Sequence, residues 1–271
     1  MLEMPAGDRS AGLENATPQS EQRPRLSVVM PCYNEAATVR GIVEKVLRLP
    51  FALEVIVVDD CSQDETGILL AELSSNFSNI RVLRHSMNQG KTAALRTGFA
   101  TTRGDVVIIQ DADLEYDPDD IPDVVAPILQ GKADVVYGSR FLVKRASRVL
   151  YYYHYLANTI LTFCCNLFTN LNMTDVETGY RCFRGEIIRD MIISSSGFGF
   201  EVEVTAKVAK LGARVYEVPI SYYGRTYEEG KKIGAIDGLL AFWYIFKYNV
   251  LVSRARSFRT LRRVRVSPNA P

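Results

Sequence analysis

Between Leu26 and Gly138 the chain alternates short apolar runs with longer amphipathic stretches. The apolar runs are rich in β-branched residues, as buried strands are; they are LSVVMP, LEVIVVDD, IRVLRH, DVVIIQD and ADVVYGS. Helical patterns separate them, in the stretches EAATVRGIVEKVLRL, ETGILLAELSS, GKTAALRTGFATT and PDDIPDVVAPILQ. Strands that alternate with helices of this length predict βαβ units. We therefore expect an α/β fold with a mainly parallel sheet and flanking helices.

Polar residues follow several of the predicted strands. They are Asn34 and Glu35, Asp59 and Asp60, Asp111 and Asp113, and Ser139 and Arg140. Ligands of open α/β sheets bind beyond the carboxyl ends of the strands. This pattern predicts a functional site at that edge of the sheet.

The stretch VVIIQDADLEYDP brings three acids close together after an apolar strand. Asp111, Asp113 and Glu115 alternate with apolar residues, so an extended chain would point all three carboxylates the same way. Like charges on one side are unfavourable unless a cation lies between them. Short acidic pairs also occur as turn residues and helix caps, which is the alternative interpretation. The position after the most apolar strand favours a divalent cation, Mg²⁺ or Mn²⁺, that neutralises a departing diphosphate.

Two other kinds of nucleotide site fit the sequence less well. A dinucleotide-binding turn needs glycines after the first strand, and PCYNEAATVRG has none before Gly41. HSMNQGKT ends like a phosphate-binding loop, but the position five residues before Gly90 is His85 and not glycine. A nucleotide-sugar transferase remains the better interpretation.

Composition excludes several further classes. The net charge of +1 gives no general attraction to nucleic acid. The five cysteines have no CxxC spacing, which predicts reduced thiols and not a disulfide framework or a zinc site. Residues 1–24 lack the apolar segment of a signal peptide and are predicted to be a disordered tail. We assign residues 25–234 to a catalytic domain and residues 235–271 to an amphipathic helix with a basic tail.

In chain order, seven motifs resemble those of family 2 glycosyltransferases of the GT-A (Rossmann-like) fold: VVMPCYNEAATV, VIVVDDCSQDET, NQGKTAALRTGF, IIQDADLEYDP, YGSRF, DVETGYRCF and EVPISYYGRTYEEGKK. The similarity covers residues 26–249 and is strongest to the dolichyl-phosphate mannose synthase type and its bacterial polyprenyl-phosphate relatives. It implies an enzyme that moves a hexosyl group from a GDP- or UDP-linked sugar to a polyprenyl monophosphate, with inversion at the anomeric carbon. It also implies Mg²⁺ or Mn²⁺ as cofactor.

The resemblance also implies site residues. The nucleotide would contact Pro31, Tyr33, Glu35 and Asp60, and the metal and diphosphate would contact Asp111, Ala112, Asp113 and Glu115. The family's conserved cations fall on Arg140, Arg225 and Lys231, so the implied catalytic residues are Asp113, Arg140, Arg225 and Lys231. From their places near strand ends or in glycine-bearing loops, Arg181 and Lys232 are further candidates for binding phosphate.

Two apolar stretches predict contact with a membrane surface. Residues 149–174 carry no Asp, Glu, Lys or Arg, a length that could span a bilayer. Their apolar residues form one stripe, with Asn158, Thr162 and Asn166 off it, which favours a helix in the interface or one packed on the domain. GLLAFWYIFKYNVLV is followed by six arginines within residues 254–265, as in a monotopic anchor at the cytoplasmic face. The alternative is that both helices only cover the sheet.

Two rival functions remain open. A family 2 transferase acting on a sugar hydroxyl would need a base, for which Glu201 or Glu203 is placed. A phosphate acceptor, largely dianionic at neutral pH, would need no strong base. A non-enzymatic membrane-binding scaffold on the same fold is the second rival.

Overall fold

A computed structural model describes residues 26–49, 52–142, 151–224 and 235–261. Its strands are β1 Leu26–Cys32, β2 Ala52–Asp59, β3 Ile80–Arg84, β4 Val106–Ile109, β5 Val135–Ser139, β6 Arg181–Arg184 and β7 Val215–Pro219. Its helices are α1 Val39–Leu47, α2 Thr66–Asn76, α3 Lys91–Thr101, α4 Ile121–Leu129, α5 Tyr152–Thr169, α6 Gly185–Asp190, α7 Phe200–Leu211 and α8 Ala235–Phe246. A π-helical turn, Lys247–Leu251, continues α8. The strands and helices predicted between Leu26 and Gly138 are all confirmed.

The described strands form one sheet in the order β3-β2-β1-β4-β6-β5-β7. Neighbouring strands are parallel except at β6, which runs antiparallel to both β4 and β5. In the centre, Val29 of β1 lies between Ile56 of β2 and Ile109 of β4. The predicted mainly parallel sheet is confirmed, and the carboxyl ends of β1, β2 and β4 meet at one edge.

Helices cover both faces of the sheet because successive strand residues point to opposite sides. Val28 and Met30 of β1 pack with α1, α2 and α4, whereas Val29 packs with α3, α6 and α7. On α1 the residues Val39, Ile42, Val43 and Val46 are buried, and Leu47 is half-buried, so the predicted apolar stripe faces the sheet.

Helix α5 packs on the domain through polar side chains. Asn158, Thr162 and Cys165 are its buried residues, whereas Tyr153, Phe163 and Leu167 are 82%, 66% and 72% exposed. The Nδ2 of Asn166 donates to the carbonyl oxygen of Met173 at 2.8 Å, and the backbone N–H of Met173 donates back to its Oδ1 at 3.1 Å. The polar side faces inward because the backbone of the following loop needs hydrogen-bond partners. The apolar side of α5 is thus left on the surface.

Helix α8 also exposes apolar side chains while its opposite side is buried. Leu240, Phe242, Trp243 and Phe246 are between 41% and 52% exposed, whereas Ala241, Ile245 and Tyr248 are buried. Ile245 packs in one apolar cluster with Cys165 of α5 and Val202 of α7. No helix within the described ranges is both long enough and apolar enough to cross a membrane.

The chain after α8 packs back onto the domain. Phe258 is 1% exposed and lies in the same apolar cluster as Val29 and Phe183 of the sheet. The carboxylate of Asp190 accepts from the backbone N–H groups of Thr260 and Leu261 at 2.9 and 2.8 Å. The described part of the basic segment, up to residue 261, is therefore fastened to the sheet-bearing part of the molecule.

Candidate active site

A cavity of about 400 Å³ opens at the carboxyl edge of β1, β2 and β4. It is lined by Pro31, Cys32, Tyr33, Glu35, Asp60, Asn88, Gly90, Lys91, Ala94, Asp111, Ala112 and Asp113. Every residue predicted to contact the nucleotide is in this set, as are Asp111, Ala112 and Asp113. The structure brings them together because parallel strands end at one edge of the sheet.

Hydrogen bonds join the loops that follow β1 and β2. Asn34 has a φ of 56°, and its backbone N–H donates to Ser62 Oγ at 3.0 Å. The backbone N–H of Gln63 donates in return to Asn34 Oδ1 at 2.8 Å. The backbone N–H of Glu35 donates to Thr66 Oγ1 at 2.9 Å. These bonds fix the wall that carries Tyr33 and Glu35.

Asp60 is 3% exposed, and its carboxylate holds the loop that leads into α3. It accepts from the backbone N–H groups of Gln89 and Gly90, at 3.0 and 2.6 Å. His85 Nδ1 lies 2.6 Å from the same carboxylate. Asp60 thus lines the cavity and also positions the N-terminus of α3.

The acidic segment after β4, which contains Asp111, Asp113 and Glu115, forms a turn. The expectation that these residues lie on an extended chain is therefore wrong. Leu114 has a φ of 61°, which reverses the chain between Asp113 and Glu115. The Nε2 of buried Gln110 donates to the carbonyl oxygens of Asp111 and Tyr116, at 3.1 and 3.2 Å, and closes this turn. The three carboxylates of this turn still act on one another, since the charges of Asp111 and Glu115 both raise the pKa of Asp113.

Glu115, for which the family resemblance implies contact with the metal and diphosphate, is bonded to the chain that follows β7. Its Oε2 accepts from Tyr222 Oη at 2.8 Å, and its carbonyl oxygen accepts from the backbone N–H of Tyr223 at 2.9 Å. Within the described residues, no three or more His, Cys, Asp or Glu side chains are grouped to hold a metal ion. Of the three acids in this segment, Asp111 and Asp113 line the cavity, together with Glu35 and Asp60, whereas Glu115 is not among the lining residues.

Lys91, which the sequence analysis left without a role, places a cation in the cavity. Its Nζ lies 2.7 Å from Asp111 Oδ2. Burial works to lower the pKa of Lys91, but the charges of Asp111 and Glu201 outweigh it and raise the pKa above its usual value. Gly90, with a φ of 85°, lets the chain enter α3 directly at Lys91. The signal in the sequence was the GKT at the start of a helix that follows a strand, whose N-terminus attracts anions.

The acid pair fits a hard divalent cation. Burial, followed by the charges of Asp111 and Glu115, raises the pKa of Asp113 to about 7. Carboxylate oxygens are the ligands that Mg²⁺ and Mn²⁺ prefer, and Mg²⁺ is bound through one or two carboxylates together with substrate phosphates. The Lys91 ammonium already lies against Asp111, so this position attracts positive charge. The predicted metal ligands Asp111 and Asp113 therefore suit the group that the fold implies.

Arg140 follows β5 and is clamped on several sides. Its Nε and Nη2 donate to Oδ2 and Oδ1 of Asp175 at 2.6 and 2.7 Å. The ring of Tyr222 lies 5.2 Å from the guanidinium carbon, and the ring of Phe141 lies at 5.7 Å. Because Tyr222 also donates to Glu115, it connects Arg140 to the acidic turn.

Arg181 does not lie at the cavity, so the expectation that it binds a substrate phosphate is wrong for this arrangement. Its side chain is completely buried. The guanidinium stacks with the rings of Tyr137 and Phe200 at 4.9 and 5.7 Å, and Nη2 donates to the carbonyl oxygen of Val176. Arg181 is the first residue of β6, and its side chain is buried between Tyr137 of β5 and Phe200 of α7.

Three predicted cations lie outside the described residues: Arg225, Lys231 and Lys232.

The two candidate bases for a hydroxyl acceptor are both described. Glu203 is fully buried, pairs with Lys207 and accepts from Ser194 and Ser195. Glu201 is 8% exposed and contributes to the field around Lys91. Glu203 is therefore committed to the packing of α7.

Comparison with known proteins agrees with this geometry. Residues 27–192 match the model of glycosyl transferase family 2. The undecaprenyl-phosphate mannosyltransferase of Micrococcus luteus is 30% identical over 224 residues, which are 79% of this chain and 90% of that protein. The polyprenol monophosphomannose synthase of Mycolicibacterium smegmatis is 28% identical over 235 residues, with 84% and 88% covered. The dolichol-phosphate mannosyltransferase of Pyrococcus furiosus is 28% identical over 214 residues, but this chain spans only 60% of its length.

Solved structures show the same fold. Glucosyl-3-phosphoglycerate synthase from Mycobacterium tuberculosis superimposes with a TM-score of 0.65 at 20% identity, covering 83% of this chain and 81% of that one. Its complex with Mn²⁺, uridine diphosphate and phosphoglyceric acid has a TM-score of 0.63 at 20% identity, with 85% and 80% covered. The strand order, the acid pair in its cavity and the match over most of the chain lead to one assignment. The chain belongs to glycosyl transferase family 2.

Proposed function

We propose that this protein transfers a hexosyl group from a nucleotide-diphosphate sugar to a polyprenyl monophosphate at a membrane surface. The observation that carries the proposal is that Asp111, Asp113 and Lys91 line one cavity, where Lys91 pairs with Asp111. The acceptor class rests on the names of the relatives, which act on undecaprenyl phosphate, polyprenol phosphate and dolichol phosphate. Those names also favour mannose as the hexose. GDP and UDP both remain candidate carriers.

The donor would lie in the cavity with its diphosphate near the start of α3. Asp111 and Asp113 would hold Mg²⁺ or Mn²⁺, which supplies a positive charge for the departing diphosphate. Lys91 and the N–H groups at the first turn of α3 would bind the diphosphate oxygens. Pro31, Tyr33, Glu35 and Asp60 would form the wall against the nucleoside.

The acceptor phosphate would act as the nucleophile. One of its oxygens attacks the anomeric carbon, and the bond from that carbon to the donor diphosphate breaks. The electron pair leaves with the nucleoside diphosphate, and the configuration inverts. Because the phosphate monoester is largely dianionic near neutral pH, no proton has to be removed from it. This accords with the engagement of Glu203 by Lys207.

Cations would hold the acceptor phosphate in line. Arg140 is the described candidate, because a guanidinium bound to Asp175 by one edge can offer its other edge to a phosphate. Arg225 and Lys231 are proposed from the family resemblance alone. Catalysis would then depend on Asp113, Arg140, Arg225 and Lys231.

The lipid would be reached through the exposed sides of α5 and α8. Phe163 and Leu167 of α5 and Trp243 of α8 are at least half exposed, and α5 packs against α8. Several large exposed apolar side chains on neighbouring helices favour a surface that binds another apolar surface. Arg256 and Arg259 are exposed in the segment after α8. Aromatic residues beside arginines suit the headgroup region of an anionic leaflet, at about 1 kcal/mol for each arginine. We propose peripheral or monotopic binding at the cytoplasmic face.

An acceptor panel tests the proposal. The protein is incubated with Mn²⁺ and radiolabelled GDP- and UDP-sugars, with undecaprenyl phosphate in vesicles or with phosphoglyceric acid in solution. We expect label in the organic phase for one donor, and none when a chelator is present. Label on the water-soluble acceptor alone would favour a hydroxyl acceptor, and turnover in excess chelator would remove the metal from the mechanism.

A further inference from the structure

Arg140 is oriented by a residue that lies deeper in the fold. Asp175 is fully buried, and its carboxylate receives Nε, Nη2 and the backbone N–H of Arg140, the last at 3.2 Å. A bidentate pair with a carboxylate fixes both the position and the plane of a guanidinium. The direction in which Arg140 presents its second edge is therefore set by Asp175.

The same carboxylate is bound from α5. The Nδ2 of Asn158 donates to Asp175 Oδ1 at 3.2 Å, and Asn158 itself is 8% exposed. One turn further along, Thr162 Oγ1 accepts from the backbone N–H of Val176 at 3.1 Å. Asn166, a further turn along, exchanges two hydrogen bonds with the backbone of Met173. A row of polar side chains spaced by four residues thus fastens α5 to residues 173–176.

This row lies opposite the apolar side chains that α5 exposes. Phe163 and Leu167 are on the surface, while Asn158 and Thr162 face the loop that carries Asp175. On the other side of that loop, Glu217 of β7 accepts from the backbone N–H groups of Thr174 and Asp175 at 2.9 and 3.3 Å. The loop is held between a fixed strand and a helix that has an exposed apolar side. A shift of α5 would act on Asp175 through Asn158.

We infer that Asp175 is a positioning residue for Arg140, and that Asn158 makes this position depend on how α5 is seated. The inference rests on the proposed function, in which Arg140 binds the acceptor phosphate and α5 contacts lipid. It predicts that the contact between α5 and the membrane helps to orient the cation that receives the lipid phosphate. Neither Asp175 nor Asn158 needs to touch a substrate for this.

The test compares substitutions along α5. Asn158→Leu removes the amide that binds Asp175 but keeps the helix and the number and branching of the side-chain heavy atoms. Asn166→Leu is the matched control, since it removes two hydrogen bonds between α5 and the same loop without touching the carboxylate. Asp175→Asn breaks the ion pair itself. Steady-state transfer is measured against donor and against polyprenyl phosphate in vesicles.

We expect Asn158→Leu and Asp175→Asn to raise the KM for the lipid phosphate, the latter about tenfold, with the KM for the donor unchanged. Asn166→Leu should lower the melting temperature, leave the KM for the donor unchanged and raise the KM for the lipid phosphate less than Asn158→Leu does, because only Asn158 bonds to the carboxylate. An unchanged acceptor KM in Asn158→Leu, or an equal rise in Asn166→Leu, would overturn the inference. If Asp175→Asn does not fold, the comparison of the acceptor KM between Asn158→Leu and Asn166→Leu still tests the inference.

A binding measurement separates this inference from the proposed function. Calorimetry with a short, water-soluble isoprenyl phosphate requires no turnover. If the wild type transfers no sugar to lipid but binds this phosphate, and Asn158→Leu binds it more weakly than Asn166→Leu does, the proposed reaction fails and the positioning role stands. Equal binding by both variants would contradict the positioning role even if transfer occurs.

Discussion

At the scale of single residues, Asp113 is a carboxyl group of the cavity whose pKa is strongly raised. Burial and the neighbouring charges of Asp111 and Glu115 raise its pKa from 3.8 to about 7. Between about pH 4 and pH 7, the folded protein therefore keeps a proton on Asp113 that the unfolded chain has released. This contribution to stability is fully present below about pH 4 and is lost as the pH rises toward and through about 7. A bound cation would offset the repulsion that remains above that pH.

Asp113→Asn should separate stability from activity. Without the crowded carboxylate, the metal-free variant should be more stable than the wild type at about pH 8, by roughly 2–4 °C in Tm for each kcal/mol of repulsion removed. It should also lose most transfer activity and the rise in Tm that Mn²⁺ gives. Thermal unfolding with and without Mn²⁺ measures both effects. Asp119→Asn, at an exposed acid in the same segment, is the control and should change neither. A full Mn²⁺ response in Asp113→Asn would contradict its role as a ligand.

The same pKa predicts how metal binding depends on pH. A carboxylate must lose its proton before it binds a cation, so the affinity for Mn²⁺ should fall below about pH 7, by roughly tenfold for each pH unit. Calorimetric titrations with Mn²⁺ at several pH values between about 5 and 8 measure this slope. An affinity that does not change over this range would show that Asp113 is already ionised.

Lys91 offers a second residue-scale test. Lys91→Met keeps the length of the side chain but removes the charge that lies 2.7 Å from Asp111. We expect the Kd of the nucleoside diphosphate to rise about tenfold, because a phosphate contact is lost. Lys45→Met is the matched control, since Lys45 pairs with Asp117 at 3.5 Å on the surface. Equal affinity of the two variants for the nucleoside diphosphate would show that Lys91 does not bind the donor.

At the scale of elements, the sequence predicts those features that burial dictates. Strands β1, β4 and β5 are recognisable because every residue in them is buried, which favours apolar side chains. Strand β3 lies at the edge of the sheet and is mostly half-buried, and it is recognisable from its alternation of arginine with apolar residues. The cavity lining from Pro31 to Asp113 follows, because parallel strands end at one edge. The sequence does not reveal the turn at Leu114, whose positive φ depends on the bonds that Gln110 makes to the backbone on both sides.

Other features are set by contacts between distant residues. Lys91 meets Asp111 only because α3 starts beside the end of β4, and Arg181 is covered by rings from β5 and α7. On α5 the apolar stripe was visible, but the side that faces the domain was not. It is decided by Asp175 and by the backbone of residues 173–176, which Asn158, Thr162 and Asn166 satisfy.

The exposed side of α5 yields an element-scale prediction. Replacing Phe163 and Leu167 together by Ser should weaken binding to anionic vesicles about tenfold or more, since each buried apolar side chain contributes about 1.5–3 kcal/mol. Stability should hardly change, because both side chains are already exposed. Co-sedimentation with vesicles is the measurement. Ile68→Ser, at a 72% exposed position on α2, is the control and should bind as the wild type does. Unchanged vesicle binding by the double variant would exclude α5 as the lipid-facing helix.

At the scale of the whole molecule, the segment after α8 links the proposed lipid-facing surface to the core. Lys207 and Lys210 of α7 contact this region, with Lys210 donating to the carbonyl oxygens of Tyr248 and Val252. Phe258 then enters the main apolar cluster. The arginines at 254, 256 and 259 are thereby carried at a fixed place on the surface.

Phe258→Ala should destabilise the whole protein. Removing a fully buried ring costs about 3–5 kcal/mol, through lost burial and the cavity left behind. Chemical unfolding should show this loss in a single transition if the segment and the sheet form one cooperative unit. Phe77→Ala, at a 38% exposed position, is the control and should cost much less. A wild-type transition in Phe258→Ala would mean that the segment adds nothing to the core.

The identity of the product tests the central claim most directly. After reaction with the preferred donor, the lipid is extracted and examined by mass spectrometry and phosphorus NMR. We predict a glycosyl phosphodiester of the polyprenol, with the anomeric configuration opposite to that of the donor and one nucleoside diphosphate released for each sugar transferred. A sugar attached to a hydroxyl group, or a retained configuration, would contradict it.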